Sequence, residues 1–192
     1  MNALILVDIQ NDFCPGGALA VKEGDQIVPI VNKLQRLFPL VVATKDWHTA
    51  DHSSFAIWPL HCVQESFGAE FVEGLDTKRI AHVFLKGADQ GIDSYSGFFD
   101  NEHLRATGLG DYLREEGVTE VTIAGLATDY CVKFTALDAV QLDFKTSVVI
   151  DATRGVEVSP GDTARAVEEM KNAGVRVVQS EEVLEAAELK TI

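Results

Sequence analysis

The sequence predicts a three-layer α/β/α fold, in which helices cover both faces of a six-stranded parallel sheet. Three observations support this prediction. Short apolar runs bounded by turns recur along the chain, segments with helical spacing alternate with them, and 192 residues suit one domain with a single core. Residues 1–192 are therefore expected to form one domain. In such sheets ligands bind beyond the carboxyl ends of the strands, so we expect a site at that edge.

The predicted elements follow one another along the chain. The expected strands are the apolar runs at 3–9, 40–44, 82–85, 120–124, 147–150 and 175–178. The expected helices have apolar residues at helical spacing and lie at 25–38, 109–117, 128–142 and 161–174. Asp25 is expected to cap the first helix, whose first turn tolerates Pro29, and Gly117 is expected to end the second.

Long irregular stretches follow the first three strands, at 10–24, 45–80 and 86–106. Loops of that length in a compact domain are usually functional. Because parallel strands end at the same edge of a sheet, all three loops are expected to lie together there.

Composition excludes several classes of partner. The formal net charge of -14 argues against nucleic acid and against an anionic membrane, because phosphate groups would be repelled. No apolar run approaches the roughly 20 residues that span a bilayer, and the first residues do not resemble a signal peptide. Three cysteines without CxxC spacing disfavour a disulfide framework or a structural zinc site, and favour a reducing cytoplasm.

Asp8, Lys86 and Cys131 each follow or end a predicted strand. Taken singly, they could be a loop-capping carboxylate, an exposed lysine and a small packed thiol. Taken together, they supply a proton acceptor, a balancing charge and a nucleophile. If Thr128 or Asp129 caps the helix, Cys131 falls in its first turn, where free N–H groups stabilise a thiolate or an oxyanion.

A second group of polar residues lies in the loop after the second strand. Asp46 and His48 are two residues apart on an extended segment, so their side chains can converge on one ion, and His61 can complete a two-histidine, one-carboxylate set. Such a set suits iron(II), manganese or zinc. His52 is left open as a fourth ligand or as a supporting hydrogen-bond partner. The alternative is that these are loop histidines that bind no metal.

Five ordered segments resemble the nicotinamidases, also called pyrazinamidases, of the isochorismatase-like cysteine hydrolase superfamily. The segments are "LILVDIQNDFCPGGALAV", "TKDWHTADHSSFA", "WPLHC", "LKGADQGIDSYSGFFD" and "AGLATDYCVKFTALDA". The resemblance covers essentially the whole chain. Isochorismatases proper lack the cysteine and the metal set, so this chain resembles the amidase branch.

The resemblance implies a sheet order of 3-2-1-4-5-6 and a role for each site residue. The implied triad is Cys131, Asp8 and Lys86, and the implied metal ligands are Asp46, His48 and His61. A cis peptide at Leu126–Ala127 would direct the N–H groups of Ala127 and Cys131 at one point as an oxyanion hole. The implied substrate contacts are Phe13, Leu19, Trp58, Tyr95 and Ala127. Tyr130, which varies in the family, is expected to tune the pocket.

The implied reaction converts nicotinamide to nicotinic acid and ammonia, and pyrazinamide to pyrazinoic acid, through a cysteine thioester in NAD salvage. The implied cofactor is one divalent metal ion, Zn, Fe or Mn, and a homo-oligomer is left open. Three alternatives remain at this point: another carboxamide or ureido hydrolase of the superfamily, a mononuclear metal redox protein, and a catalytically silent scaffold.

Overall fold

The computed structural model describes residues 1–189, so the last three residues of the expected 1–192 domain lie outside the described residues. The described chain contains one parallel six-stranded sheet in the order β3-β2-β1-β4-β5-β6, which confirms the predicted architecture and order. The strands are β1 (Asn2–Val7), β2 (Leu40–Asp46), β3 (His82–Lys86), β4 (Glu120–Leu126), β5 (Lys145–Arg154) and β6 (Arg176–Val178). No helix within residues 1–189 is long and apolar enough to cross a membrane.

Helices cover both faces of the sheet. They are α1 (Val28–Leu34), α2 (Leu109–Glu115), α3 (Lys133–Gln141), α4 (Asp162–Asn172) and α5 (Ser180–Glu188). Helices α1 and α5 pack on the face that carries Leu4 and Leu6, whereas α2, α3 and α4 pack on the face that carries Ala3 and Ile5. Strand β1 is therefore buried on both sides, as its continuous apolar run predicts.

The strand ends differ from the predicted ones where the difference matters for the site. Strand β1 ends at Val7, and Asp8 follows it with a φ of 48°, in the left-handed region that non-glycine residues rarely adopt. Strands β2 and β3 run on to Asp46 and Lys86, which are paired in register. Three polar residues therefore stand side by side at the carboxyl edge of neighbouring strands.

The prediction that Asp25 caps the first helix is wrong. Asp25 lies inside a 3₁₀ turn over Gly24–Ile27, and α1 begins at Val28. Pro29 has no N–H to donate to the Asp25 carbonyl, so α-helical hydrogen bonding cannot begin before it. Pro29 itself lies in the first turn of α1, as expected.

The prediction that Thr128 or Asp129 caps the helix after β4 is also wrong. A π-helical turn over Thr128–Val132 precedes α3, and neither side chain caps it. Both bind neighbouring segments instead: Thr128 Oγ1 donates to Thr153 Oγ1 at 2.8 Å, and the Asp129 carboxylate accepts from the Val156 N–H at 2.8 Å. Cys131 thus lies in a π-helical turn rather than in the first turn of a capped α-helix.

Gly125 allows β4 to approach β1 closely enough for the two strand ends to share a site. Its φ is 131°, and a Cβ there would lie 2.1 Å from the carbonyl oxygen of Val7. Any other residue would separate the strands at this point. The cis peptide implied by the resemblance is present just beyond, between Leu126 and Ala127.

Candidate active site

Asp8, Lys86 and Cys131, from three separate segments, meet at the carboxyl edge of the sheet. Lys86 Nζ lies 2.8 Å from Asp8 Oδ2 and 3.4 Å from Cys131 Sγ. All three residues are buried. The carboxylate, the ammonium and the thiol are thus close enough to share charge and to exchange a proton.

Lys86 is held from several directions. Its ammonium also donates to the carbonyl oxygen of Ser94 at 2.9 Å and to Asp46 Oδ1. Burial alone would lower the pKa of Lys86, but the carboxylates of Asp46 and Asp8 outweigh it and raise that pKa well above its ordinary value. Lys86 therefore stays charged and offsets two buried carboxylates.

Asp8 is set up to exchange a proton near neutral pH. Burial raises the pKa of Asp8 to about 6, against the opposing effects of Lys86 and of a hydrogen bond from Thr44. Thr44 Oγ1 donates to Asp8 Oδ1 at 2.6 Å, which leaves Oδ2 to Lys86. A carboxylate with a pKa in this range is suited to general acid and base chemistry. Sequence reasoning missed Thr44, whose single signal was a polar residue at the end of the apolar run 40–44.

Cys131 is a thiol at rest rather than a thiolate. Burial raises its pKa well above the ordinary value, and the nearby charge of Lys86 does not reverse this. The expectation that a helix start stabilises a thiolate therefore does not describe the resting protein. The Cys131 sulfur and an Asp8 oxygen lie within 4.8 Å, so Asp8 can take the thiol proton.

Asp46, His48 and His61 form a group with the geometry of a metal site. Their donor atoms lie within 4.8 Å of one another, with Nε2 of His48 and His61 at 3.6 and 3.8 Å from Asp46 Oδ2. His48 Nδ1 donates to the Gly87 carbonyl at 2.9 Å, and His61 Nδ1 donates to the Pro59 carbonyl at 2.7 Å. Because a carbonyl only accepts, both histidines keep the Nε2 lone pair available for a ligand.

The electrostatics of this group suit a cation. Burial alone would raise the pKa of Asp46, but Lys86 and the two histidines outweigh it and lower that pKa. Burial lowers the pKa of His61, so its imidazole is neutral, the form that binds metals. His48 Nε2 is buried without a hydrogen-bond partner. Burial alone would lower the pKa of His48, but Asp46 outweighs it and raises that pKa, so a positive charge is favoured between the two side chains. A buried Nε2 without a hydrogen-bond partner beside an anionic carboxylate fits a divalent metal ion.

Two features hold the metal group in place. The side chain of Gln10 accepts from the Asp46 N–H and donates to the Asp46 carbonyl, both at 2.8 Å, and so fixes the end of β2. Gly87 has a φ of 60°, and a Cβ there would lie 2.5 Å from Cε1 of His48. Glycine is therefore required beneath that ring. Gln10 was missed, although an amide directly after an apolar strand was its signal.

His52 and Asp93 border the metal group. The rings of His48 and His52 stack with centroids 4.1 Å apart, and His52 Nε2 is buried without a hydrogen-bond partner. Asp93 Oδ1 lies 4.0 Å from His48 Nε2. These three residues form a second candidate ligand group that shares His48 with the first. Asp93 was missed because its loop carries no recognisable ligand spacing.

A narrow crevice adjoins the triad and the metal group. Its walls include the expected substrate contacts Phe13, Leu19, Trp58, Tyr95 and Ala127, together with Tyr130, which was expected to tune the pocket. Asp93 and Val156 also line it, as do Asp46, His61 and Cys131 of the metal group and the triad. Trp58 Nε1 donates to Tyr95 Oη at 3.1 Å, and the Trp58 ring meets Tyr130 edge-on at 5.1 Å. The aromatic walls suit a flat ring. Val156 was missed because nothing in the sequence relates its loop to Cys131.

The family model of the isochorismatase domain matches residues 2–182 of the chain. The chain is 48% identical over 195 residues to the nicotinamidase of Escherichia coli strain K12, with 90% of this chain and 92% of that protein covered.

Solved structures are similar over nearly the same span. The nicotinamidase and pyrazinamidase of Acinetobacter baumanii superposes with a TM-score of 0.92 at 40% identity, covering 95% of this chain and 97% of that one. The pyrazinamidase of Pyrococcus horikoshii in complex with zinc superposes with a TM-score of 0.84 at 45% identity, covering 93% and 98%.

Proposed function

Since the chain belongs to the isochorismatase domain family, we propose that it hydrolyses nicotinamide to nicotinic acid and ammonia, with Cys131 as the nucleophile. The observation that supports this most is the meeting of Cys131, Lys86 and Asp8 within hydrogen-bonding distances beside an aromatic crevice. A silent scaffold or a metal redox protein would give no reason for that meeting.

The crevice suits a flat, neutral pyridine carboxamide. Phe13, Trp58 and Tyr95 supply aromatic walls, and Leu19 and Ala127 supply aliphatic ones. Burial of the ring against these walls contributes favourable binding free energy, and a neutral ring needs no counter-charge in the crevice. We propose that pyrazinamide, whose ring has the same shape, is a substrate of the same crevice.

The acylation step begins with proton transfer. The Cys131 thiol gives its proton to the Asp8 carboxylate, and the sulfur attacks the amide carbon of the substrate. Lys86 keeps its positive charge beside the two groups throughout and so limits the repulsion between them. The N–H groups of Ala127 and Cys131 hold the oxygen that becomes negative, and loss of one such donor typically costs about 3 kcal/mol.

The tetrahedral intermediate then loses ammonia. The carbon–nitrogen bond breaks, Asp8 returns its proton to the departing nitrogen, and a nicotinoyl thioester remains on Cys131. Asp8, ionised again, takes a proton from a water molecule that attacks the thioester. The carbon–sulfur bond breaks, nicotinic acid leaves, and Asp8 reprotonates the sulfur.

Asp46, His48 and His61 are proposed to hold one divalent metal ion. The buried, unpartnered Nε2 of His48 and the anionic Asp46 support this assignment, as does zinc in the pyrazinamidase of Pyrococcus horikoshii. Zinc, iron and manganese all suit the donor set. A bound ion would supply a Lewis acid that interacts with the ring nitrogen, directly or through water, and so orients the carboxamide. His52 is proposed to support His48 by stacking.

We further propose that residues 1–192 form a single domain of this family that works in the cytoplasm. The family match over 2–182 and the single six-stranded sheet support the first statement. Cys14, Cys62 and Cys131 are all free and buried, which supports a reducing compartment.

Ammonia release by the purified protein tests the function. Nicotinamide, pyrazinamide and a panel of small ureido compounds are compared, each with and without a chelator. We expect turnover of nicotinamide and pyrazinamide, no turnover of the ureido compounds, and inhibition by the chelator. Preference for a ureido compound would contradict the proposed function and would indicate the activity of another branch of the superfamily.

A further inference from the structure

Asp129, two residues before Cys131, binds the loop that follows β5. Its Oδ1 accepts from the Val156 N–H at 2.8 Å, and its Oδ2 accepts from the Glu157 N–H at 2.9 Å. Asp129 is 6% exposed. Hydrogen bonds to an ionised acceptor are stronger than those between neutral groups, so this carboxylate ties the backbone of Val156 firmly to the turn that carries the nucleophile.

The loop is fixed on its other side as well. Glu157 has a φ of 55°, and its carboxylate accepts from the N–H groups of Gly161 and Thr163 at 2.9 and 2.7 Å. A Cβ at Gly155 would lie 1.9 Å from Thr163 Oγ1 and 3.3 Å from Asp129 Oδ1. The backbone around Val156 therefore packs tightly between Asp129 and the start of α4.

Val156 lines the same crevice as Trp58 and Tyr95, and its backbone is held by a different kind of contact. The cavity has a volume of about 30 Å³, below the roughly 150 Å³ that accommodates a benzene ring, so part of its wall must yield when a ring enters. Trp58 and Tyr95 are joined by one hydrogen bond and otherwise make only ring contacts, with Tyr130 and Phe134, so their side chains can shift without breaking a charged hydrogen bond. The backbone of Val156 can shift only if the carboxylate of Asp129 releases it.

We propose that Asp129 is a positioning residue, which holds Val156 as one fixed wall of the crevice and thereby sets the fit of the substrate ring. This inference rests on the proposed function, because the ring is that of nicotinamide. A wall contacts the ring equally in the bound substrate and in the transition state. Asp129 therefore acts on KM rather than on kcat.

Two variants and a matched control test the proposal. Asp129→Asn keeps the size of the side chain but can accept only one of the two N–H groups, and Val156→Ala removes the wall itself. We expect KM for nicotinamide to rise roughly tenfold in each, with kcat within about threefold of wild type. The double variant should not exceed the larger single effect. The control is Asp162→Asn. The Asp162 carboxylate, at the start of α4, accepts from the Ser159 N–H at 2.7 Å, and KM should stay unchanged in this variant.

The rate of Cys131 alkylation is measured beside the kinetics and should not change, because Asp129 does not act on the thiol. An unchanged KM, or a fall in kcat with slower alkylation, would overturn the proposal. If Asp129→Asn does not fold, Val156→Ala decides the case by the same criterion. Wild-type turnover of nicotinamide is measured first. Absence of wild-type turnover would contradict the proposed function, whereas an unaltered KM in an active variant would contradict the role of Asp129.

Discussion

Lys86 reaches Asp8 across a whole strand. Its Nζ lies 2.8 Å from Asp8 Oδ2, although β2 separates β3 from β1. Two strand spacings amount to about 9.6 Å, a gap that the long side chain spans above Asp46, which it also contacts. One buried ammonium therefore contacts the proposed catalytic groups and also holds the ends of neighbouring strands together.

Substitution of Lys86 by Met is expected to abolish turnover and to lower the free energy of unfolding by about 3–5 kcal/mol, because it leaves Asp8 and Asp46 buried without a counter-charge. Urea unfolding at neutral pH measures this loss. Both carboxylates would have raised pKa values in the variant, so the deficit should shrink as the pH falls and they bind protons. Lys45→Met is the control: its partner Glu70 is 56% exposed, and we expect a loss below about 1 kcal/mol. Equal losses would contradict the buried-pair argument.

Substitution of Cys131 by Ala is expected to reduce nicotinamide turnover by roughly 10⁴-fold or more, because the sulfur forms the covalent intermediate. Metal content should remain that of wild type. Wild-type protein quenched during turnover should show the added mass of a nicotinoyl group on the Cys131 peptide, and the variant should not. Ammonia release retained by the variant would rule out the covalent step.

The sequence predicted most of the fold because its signals are local and redundant. Continuous apolar runs gave the six strands, and their alternation with helical segments gave the parallel arrangement. The helix caps at Asp25 and Asp129 were wrong for different reasons. Pro29 blocks the first α-helical hydrogen bonds after Asp25, whereas Asp129 has a better partner 27 residues away. A capping carboxylate can accept from the helix N–H groups or from N–H donors elsewhere in the chain, and the sequence shows only the local donors.

The sequence also brought together Cys131, Asp8 and Lys86, because each lies where a strand ends. It did not show Thr44 or Asp93. Thr44 matters because its hydroxyl donates to Asp8 from the neighbouring strand β2, and Asp93 because its loop returns to His48. These are contacts between distant segments, and neither the threonine nor the loop aspartate indicates by its type which residue it contacts, so the pairings emerge only from the packing.

The acid side of the pH profile is expected to report Asp8. The pKa of Asp8 is raised to about 6, mainly by burial. Below that pH Asp8 carries a proton and cannot accept one from Cys131, so kcat/KM should fall about tenfold for each pH unit. A cation at Asp46 reduces the repulsion that Asp46 exerts on Asp8, which places the midpoint at or below 6 in the metal-loaded protein. A midpoint above 7 would exclude Asp8 as the proton acceptor.

Substitution of His48 by Ala is expected to remove most of the bound metal. Loss of a group that merely orients a ligand typically weakens metal affinity about 10–100-fold, so loss of a ligand should weaken it by at least about 100-fold. Competition with a fluorescent chelator measures this affinity without reference to activity. His103→Ala is the control, because His103 is half-exposed and lies 3.5 Å from Asp138, away from the metal group. Unaltered affinity in His48→Ala would refute the ligand assignment, and His61→Ala provides a second test.

Thr44 offers the most selective test of how the pKa of Asp8 is set. Its hydroxyl donates to Asp8 Oδ1 at 2.6 Å, and this hydrogen bond lowers the pKa of Asp8 against the larger effect of burial. Thr44→Val keeps the shape of the side chain and removes the donor, so the pKa of Asp8 should rise. The acid limb of kcat/KM should then move to higher pH by about one unit, since a hydrogen bond to a charged group is worth about 1.5–3 kcal/mol before solvent and neighbours compensate. Thr44→Ser keeps the hydroxyl donor and lacks only the methyl group of threonine. The acid limb of this variant should therefore lie at the wild-type pH. If the valine and serine variants shift the limb equally, the effect arises from packing and the hydrogen bond does not tune Asp8.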